Sequence, residues 1–190
     1  MSGTRLSVFI ASSLDGYIAT RDGNLAWLEE AARRDEDYGF EAFLDSVDAL
    51  AMGRGTYDHI AHLDPLPFGN RPVFVFTHRP PAPRDGVTFW QESPRAALAR
   101  WTAMGLGRVY LDGGRLISDF LAEGLVDDLA LTKVPVLLGD GLPLFHPIGV
   151  STSLRLESVQ SWPSGFVNLT YSRARQHGEV AGGSSPSGER

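Results

Sequence analysis

The chain has 190 residues, no cysteine and a formal net charge of -6, a size that suits one domain with a sizeable core. The lack of cysteine excludes disulfides, thiolate metal ligands and a cysteine nucleophile. The acidic balance argues against nucleic-acid binding, which needs a basic surface. No apolar run approaches the roughly 20 residues that cross a bilayer, and the N-terminus lacks a signal-peptide pattern. We therefore expect a cytoplasmic protein without nucleic-acid or membrane partners.

Short apolar runs alternate with helical patterns in the first half of the chain. Residues 6–10 are rich in β-formers and predict a strand, and residues 49–52 and 72–76 predict two more. The all-apolar runs are typical of central parallel strands covered on both faces. Between the first two strands, residues 38–47 have apolar side chains at helical spacing and predict a helix.

The second half continues the alternation. Ser93 followed by Pro94 has the pattern of a helix N-cap and first helical position. The expected elements are a helix to about residue 104, a strand over 108–111, a helix over 116–123, a long strand over 125–136, and an antiparallel hairpin of 154–160 with 166–172. This order predicts an α/β sheet, mostly parallel, with an antiparallel edge.

The last residues differ in composition from the rest of the chain. Residues 174–190 are rich in glycine, serine and charge and have no apolar period, which predicts a disordered tail. No repeat or linker interrupts the preceding part. We therefore expect one domain over residues 4–173.

Three predicted strands end in segments suited to anions: residues 52–57 (MGRGTY), 76–79 (FTHR) and 112–115 (DGGR). Ligands of open parallel sheets bind beyond the carboxyl ends of the strands. Glycines let backbone N–H groups approach a phosphate, and Arg54 and Arg79 can clamp one. Each segment alone could be a turn beside a solvated arginine, but the three together favour a phosphorylated dinucleotide. The second arginine-bearing end favours NADPH over NADH. The chain lacks G-x-G-x-x-G, so an ordinary Rossmann domain is disfavoured.

Four segments in order resemble the dihydrofolate reductase-like superfamily, and within it the RibD C-terminal domain family. They are residues 12–18 (SSLDGYI), 52–57, 111–114 (LDGG) and 135–145 (PVLLGDGLPLF), and the resemblance covers about residues 5–173. It implies a three-layer α/β fold with a mostly parallel central sheet, an antiparallel edge strand and helices on both faces. It also implies NADPH as cofactor and a homodimer. The chain is similar to stand-alone members, because no zinc deaminase segment accompanies it.

The resemblance also implies roles for individual residues. One group would hold the cofactor phosphates, a second would lie near the adenosine 2′-phosphate, and a third would meet the pyrophosphate and nicotinamide side. The groups are Gly53, Arg54 and Thr56; Thr77, His78 and Arg79; and Gly113, Gly114, Arg115 and Leu116. Ala11 would line the nicotinamide pocket, and Asp15 and Trp27 would border the substrate.

Reduction of an imine also needs a proton source near the substrate. Folate reductases use an acidic residue on the first helix, and counting back from the first glycine-rich segment puts Asp37 near that place. Asp15, after the first strand, is the alternative donor. His59 and His62 lie three residues apart within an expected helix, and we expect no metal site there.

These observations predict an NADPH-dependent oxidoreductase that transfers a hydride to a small pteridine, pyrimidine or related heterocyclic or imine substrate. A riboflavin-type substrate would require basic or hydroxyl groups around its phosphate. One alternative is a non-catalytic module with the same fold that binds NADPH or a pterin. Another is a flavodoxin-like protein, which would carry a flavin.

Overall fold

The computed structural model describes residues 3–174, and the predicted tail from residue 175 onward lies outside the described residues. Ten strands and five helices lie within 3–174. They are β1 (Arg5–Ser13), β2 (Tyr17–Ala19), α1 (Ala26–Ala31), α2 (Phe40–Asp45), β3 (Ala49–Gly53), α3 (Arg54–Ile60), β4 (Val73–Phe76), β5 (Val87–Trp90), α4 (Pro94–Ala103), β6 (Arg108–Asp112), α5 (Gly114–Ala122), β7 (Asp128–Val134), β8 (Leu142–Pro143), β9 (Leu154–Ser161) and β10 (Val167–Arg173).

Eight of the strands form one sheet in the order β5-β4-β3-β6-β1-β7-β10-β9. The six strands from β5 to β7 pair in parallel, whereas β10 is antiparallel to both β7 and β9. A separate pair, β2 and β8, is antiparallel. The α/β fold with a mostly parallel sheet and an antiparallel edge is therefore confirmed.

Helices cover both faces of the sheet. In β3, Ala49 and Ala51 pack in a core with α4 and α5, whereas Leu50 and Met52 pack in a second core with α2 and α3. Consecutive strand residues point to opposite faces, so a strand between two helical layers must be apolar at every position. The predicted three-layer arrangement follows from this packing.

Helix ends agree with the sequence pattern where capping residues define them. The Ser93 side chain accepts a hydrogen bond from the backbone N–H of Ala96, so the predicted N-cap of α4 is confirmed. The helix predicted over 38–47 is shorter, because Gly39 precedes α2 in a left-handed conformation with φ of 81°. No helix among residues 3–174 has the length and apolarity to span a membrane.

Other elements differ from the expectation. The strand predicted over 125–136 is shorter and corresponds to β7, because the chain turns after α5 and again near Pro135. Strand β5 was missed: it is four residues long and lies at the sheet edge, and Thr88 interrupts its apolar run. Helix α1 was also missed, since its AWLEEA sequence is too short to show a helical period.

Candidate functional site

The three strand ends suited to anions meet at one rim of the sheet, as predicted. Strand β3 lies between β4 and β6, and all three run in parallel. Gly53 pairs with Phe76, and Met52 pairs with Asp112. The segments that follow these strands therefore leave the sheet side by side, where a single ligand can contact all of them.

Arg54 ties two of these ends together. Its Nε donates to Asp58 Oδ1 at 2.6 Å, and its Nη1 donates to the backbone oxygen of Arg79, also at 2.6 Å. The backbone N–H of Arg79 donates in turn to Thr77 Oγ1 at 3.1 Å. A guanidinium carries five N–H groups, so these contacts leave Arg54 with donors for a phosphate. The side chains of His78 and Arg79 are exposed.

Two glycines follow β6, and the structure gives them different tasks. Gly113 has φ of 93°, and a Cβ atom there would lie 2.6 Å from Thr56 Oγ1. A Cβ atom on Gly114 would collide with the backbone oxygens of Pro143 and Leu144, the latter at 2.8 Å. Gly113 thus lets the β3 and β6 ends approach each other. Gly114 is required by the packing of the protein on its own chain, so close approach of a cofactor is not needed to explain it.

The two residues after these glycines have different surroundings. The side chain of Leu116 is buried in the core with Ile117 and Phe120, so a cofactor contact by this residue is left to its backbone N–H. Arg115 is exposed and forms an ion pair with Asp119, one helical turn on, at 3.5 Å. Neither side chain lines the cavity described next.

A cavity of about 690 Å³ lies beside the rim. Thr56 and Gly113 line it where it meets the rim, and Ala11 lines it from β1. Its remaining wall is rich in aromatic side chains: Phe9, Tyr38, Phe40, Tyr110 and Phe166. Such an enclosure, mostly apolar with a few polar groups, is typical of small-molecule sites.

Asp112 is the carboxyl that lines the cavity beside the rim. Its Oδ1 accepts the backbone N–H of Gly113 at 2.8 Å, and burial raises its pKa to about 6. The phenol of Tyr110, whose pKa burial also raises, donates to the backbone oxygen of Phe9 at 2.8 Å. A carboxyl with such a pKa can hold or release a proton near neutrality. Asp112 was not among the predicted site residues, although its position directly before Gly-Gly at the end of a buried strand was a signal for it.

A hydrogen-bonded pair of polar side chains on β7 and β10 also adjoins the cavity. Asn168 Nδ2 donates to Thr132 Oγ1 at 2.9 Å, and both side chains are buried. Thr132 lines the cavity. Because its oxygen already accepts the amide proton, its own hydroxyl proton is available to a bound molecule.

Asp15 has a structural task. Its carboxylate accepts hydrogen bonds from Ser13 Oγ at 2.6 Å, from the Gly139 N–H at 2.7 Å and from the Leu138 N–H at 3.2 Å. These bonds, the one from Ser13 foremost, hold the pKa of Asp15 below its usual value. The group stays ionised near neutrality and ties the loop after β7 to the end of β1. It does not line the cavity, so its proposed role as a proton donor has no support here.

Asp37 and Trp27 also lie outside the cavity lining. Asp37 is exposed in the loop between α1 and α2, where it accepts the Gly39 N–H at 2.8 Å, so its expected place on a helix is wrong. Trp27 is buried against Val134 and Phe166, and its indole N–H has no partner among the described residues. The next residue, Leu28, lines the cavity instead.

A second hollow of about 450 Å³ adjoins the mouth of the cavity. Asp22, Glu29 and His59 are its titratable lining residues, and Asp22 and His59 also line the main cavity. We call this hollow the mouth recess. Among residues 3–174, no group of three or more histidine or acidic side chains is arranged to hold a metal ion.

Sheet order and cavity together define a protein with the fold of the RibD C-terminal reductases. A family model described as the RibD C-terminal domain matches residues 4–168. The chain belongs to this family, which is a reductase family, and the flavodoxin-like alternative is thereby excluded.

Relatives agree with this assignment. The chain is 38% identical over 170 residues to the uncharacterized protein YwjB of Bacillus subtilis (strain 168), covering 88% of this chain and 97% of YwjB. A crystal structure from Shewanella sp. PV-4, described as a riboflavin biosynthesis protein, matches with 35% identity and a TM-score of 0.83, covering 90% of this chain and all of that one.

A more distant structure shows the fold alone. It is the Thermotoga maritima diaminohydroxyphosphoribosylaminopyrimidine deaminase/5-amino-6-(5-phosphoribosylamino)uracil reductase, at 16% identity and a TM-score of 0.68. The match covers 90% of this chain but 57% of the Thermotoga chain.

Proposed function

We propose that the protein is an NADPH-dependent reductase that transfers a hydride to a small pteridine, pyrimidine or related heterocycle. The observation that carries the proposal is the junction of the rim with the cavity. Thr56 and Gly113 belong to the anion-suited strand ends and also line the cavity that holds Asp112. A cofactor gripped by its phosphates at the rim can therefore reach a substrate in the cavity.

The residues of the rim fit the phosphates of NADPH. A Cβ atom at Gly53 or Gly55 would meet nothing within 4 Å, so the space above the β3 end is open. In the proposal, Arg54 and Thr56 hold the pyrophosphate, and Thr77, His78 and Arg79 bind the 2′-phosphate. The first N–H groups of α3 and α5 lack intrahelical partners and add donors. Arg115 would add only a long-range positive charge.

The cavity residues have separate tasks in hydride transfer. NADPH supplies the hydride when bound, and the protein positions it. Ala11 leaves room for the nicotinamide beside Gly113, and the aromatic wall packs on a flat heterocycle. The Thr132 hydroxyl orients the ring. Asp112, with its raised pKa, delivers the proton that accompanies the hydride.

The alternative of a non-catalytic NADPH- or pterin-binding module shares this fold and rim. It leaves Asp112 without a task, because a binding module needs no carboxyl that titrates near neutrality. Burial of an ionised acid costs stability, and acids whose pKa burial raises concentrate at catalytic sites. The catalytic proposal is therefore preferred.

A homodimer is part of the proposal. Strand β9 is exposed along its whole length and carries three exposed apolar side chains, Leu154, Leu156 and Val159. An edge strand of this kind is a template for pairing, and a second copy of the same strand would satisfy its free backbone groups by two-fold symmetry. Light scattering should give the mass of a dimer, and Val159→Lys should shift it toward the monomer. A monomeric wild-type protein would contradict this part alone.

The reductase proposal is tested by titration with NADPH and NADH, followed through energy transfer from tryptophan to nicotinamide. We expect sub-millimolar NADPH binding and weaker NADH binding. Consumption of NADPH is then measured against a panel of pteridines, pyrimidines and cyclic imines. Absence of NADPH binding would end the proposal, and binding without turnover of any compound would favour the non-catalytic module.

A further inference from the structure

We propose that the substrate of this site carries no phosphate and is neutral or cationic, with an amino- or hydroxyl-bearing substituent that lies in the mouth recess. The inference rests on the proposed function and specifies its substrate class. It separates this chain from reductases whose substrates are sugar phosphates, such as the one that the name of the Thermotoga protein states.

The acidic side chains of the mouth recess carry the first part of the argument. Asp22 accepts a hydrogen bond from the Thr20 hydroxyl, which holds the pKa of Asp22 below its usual value and keeps it ionised. Glu29 lines the same recess from α1, and His59 lines it from α3. A phosphate placed here would share the recess with two carboxylates, and like charges repel.

The second argument is the scarcity of arginine and lysine among the described residues that line the cavity and the recess. Arg21 is the one arginine or lysine among the residues that line the cavity and the mouth recess. Its guanidinium is already paired with Asp140, on the loop that follows β7. Arg54 and Arg79 lie on the rim side, where the proposal gives them to the cofactor. Among the described residues that line the two spaces, no arginine or lysine is therefore left without an acidic partner to bind a phosphate.

The shape of the region supports a substituent rather than a bare ring. The main cavity is bounded by aromatic side chains and suits the heterocycle, whereas the adjoining recess of about 450 Å³ is polar. Carboxylates accept hydrogen bonds from hydroxyl and ammonium groups and from ring amines. A side chain that carries such donors would pair with Asp22 and Glu29, and the ring would stay over Asp112.

The test compares two ligands that differ only in a phosphate: 5-amino-6-(5-phosphoribosylamino)uracil and its dephosphorylated form. Binding of each is measured by calorimetry on the full chain saturated with NADP⁺, which permits no reduction. We expect the dephosphorylated compound to bind at least about tenfold more tightly. The variant Glu29→Lys should narrow or reverse this preference. The control Glu30→Lys makes the same charge change on the same helix, on an exposed side chain outside the recess.

The possible results distinguish a wrong substrate class from a wrong proposed function. Tighter binding of the phosphorylated compound would overturn the inference and leave the reductase proposal intact. An unchanged preference in Glu29→Lys, or an equal change in Glu30→Lys, would also overturn it. If neither compound binds to protein that is saturated with NADP⁺, the inferred ligand class is wrong although the cofactor site holds. If the protein does not bind the cofactor at all, the proposed function itself is contradicted.

Discussion

Thr56 Oγ1 lies 2.6 Å from the position that a Cβ atom on Gly113 would occupy. The two residues follow different strands, β3 and β6, and both line the cavity. Their contact leaves no space for a side chain at Gly113, whose φ of 93° already disfavours any residue other than glycine. The rim and the cavity are therefore one continuous site, whose geometry depends on a few backbone approaches.

Gly114 and Gly53 should respond differently to alanine. Gly114→Ala drives a methyl group into the Pro143 and Leu144 carbonyls and should lower the free energy of unfolding by roughly 1–3 kcal/mol. Gly53→Ala meets nothing within 4 Å, so it should leave the melting temperature nearly unchanged and weaken NADPH binding alone. Thermal melts and cofactor titrations of both variants check this. Equal melting temperatures of the two variants would show that the protein accommodates a methyl group at residue 114 without loss of stability.

Arg79 should select between the two nicotinamide cofactors. Its exposed guanidinium is proposed to bind the 2′-phosphate, so Arg79→Ala should weaken NADPH by roughly 10- to 100-fold and NADH very little. The control Arg95→Ala removes an exposed arginine that pairs with Glu123 instead. Dissociation constants for both cofactors provide the measurement. Equal losses for NADPH and NADH would contradict the assignment.

Asp112 should control the chemical step. Asp112→Asn keeps an oxygen for the Gly113 N–H but removes the proton source, so kcat should fall by roughly 10²- to 10⁴-fold with NADPH affinity retained. Asp37→Asn alters an exposed loop carboxyl and should leave the rate unchanged. Single-turnover rates of the two variants are compared across pH. Loss of activity in Asp37→Asn with retention in Asp112→Asn would restore the donor first expected from the sequence.

The same carboxyl should make stability fall as pH rises. The pKa of Asp112 is raised from 3.8 to about 6, so between about pH 4 and 6 the folded protein binds more protons than the unfolded chain. The contribution of Asp112 to the free energy of unfolding should decrease through this window. A full shift would correspond to about 3 kcal/mol, and we expect a smaller decrease because the carboxyl faces the cavity. Urea unfolding of wild type and Asp112→Asn at several pH values measures it. A parallel pH dependence of the two proteins would contradict the assigned shift.

Asp15 should act on the loop after β7 and not on the proton transfer. Asp15→Ala removes the acceptor for the Leu138 and Gly139 N–H groups, so these amides should exchange with solvent faster. Asp15→Asn keeps one acceptor oxygen and should have a smaller effect. Hydrogen exchange read by mass spectrometry follows the loop. An altered pH profile of kcat in Asp15→Asn, with unchanged exchange, would point back to a catalytic role.

The sequence was most informative where chemistry coincides with strand ends. Buried strands consist mostly of apolar residues, so glycines and arginines that follow such a strand stand out in the sequence. This contrast predicted the rim formed by the ends of β3, β4 and β6. Short elements gave too little signal: β5 has four residues and α1 has six. A period of 3.6 residues cannot be recognised over so short a helix.

Side-chain direction limited the prediction of the site itself. Asp15, Asp37 and Trp27 were expected at the substrate, but none of them lines the cavity. Asp112 does, and its pKa depends on burial in the folded protein, which no local sequence pattern contains. Gly114 was expected to make room for a cofactor, yet its closest neighbours are the backbone oxygens around β8.

Transfer of deuterium from NADPH deuterated at the nicotinamide C4 tests the central claim most directly. We expect one deuterium from the cofactor in the reduced heterocycle. We also expect Ala11→Leu, which fills the space proposed for the nicotinamide, to abolish the transfer and to leave phosphate binding at the rim largely intact. Tight NADPH binding with no deuterium in any product of the panel would contradict the account.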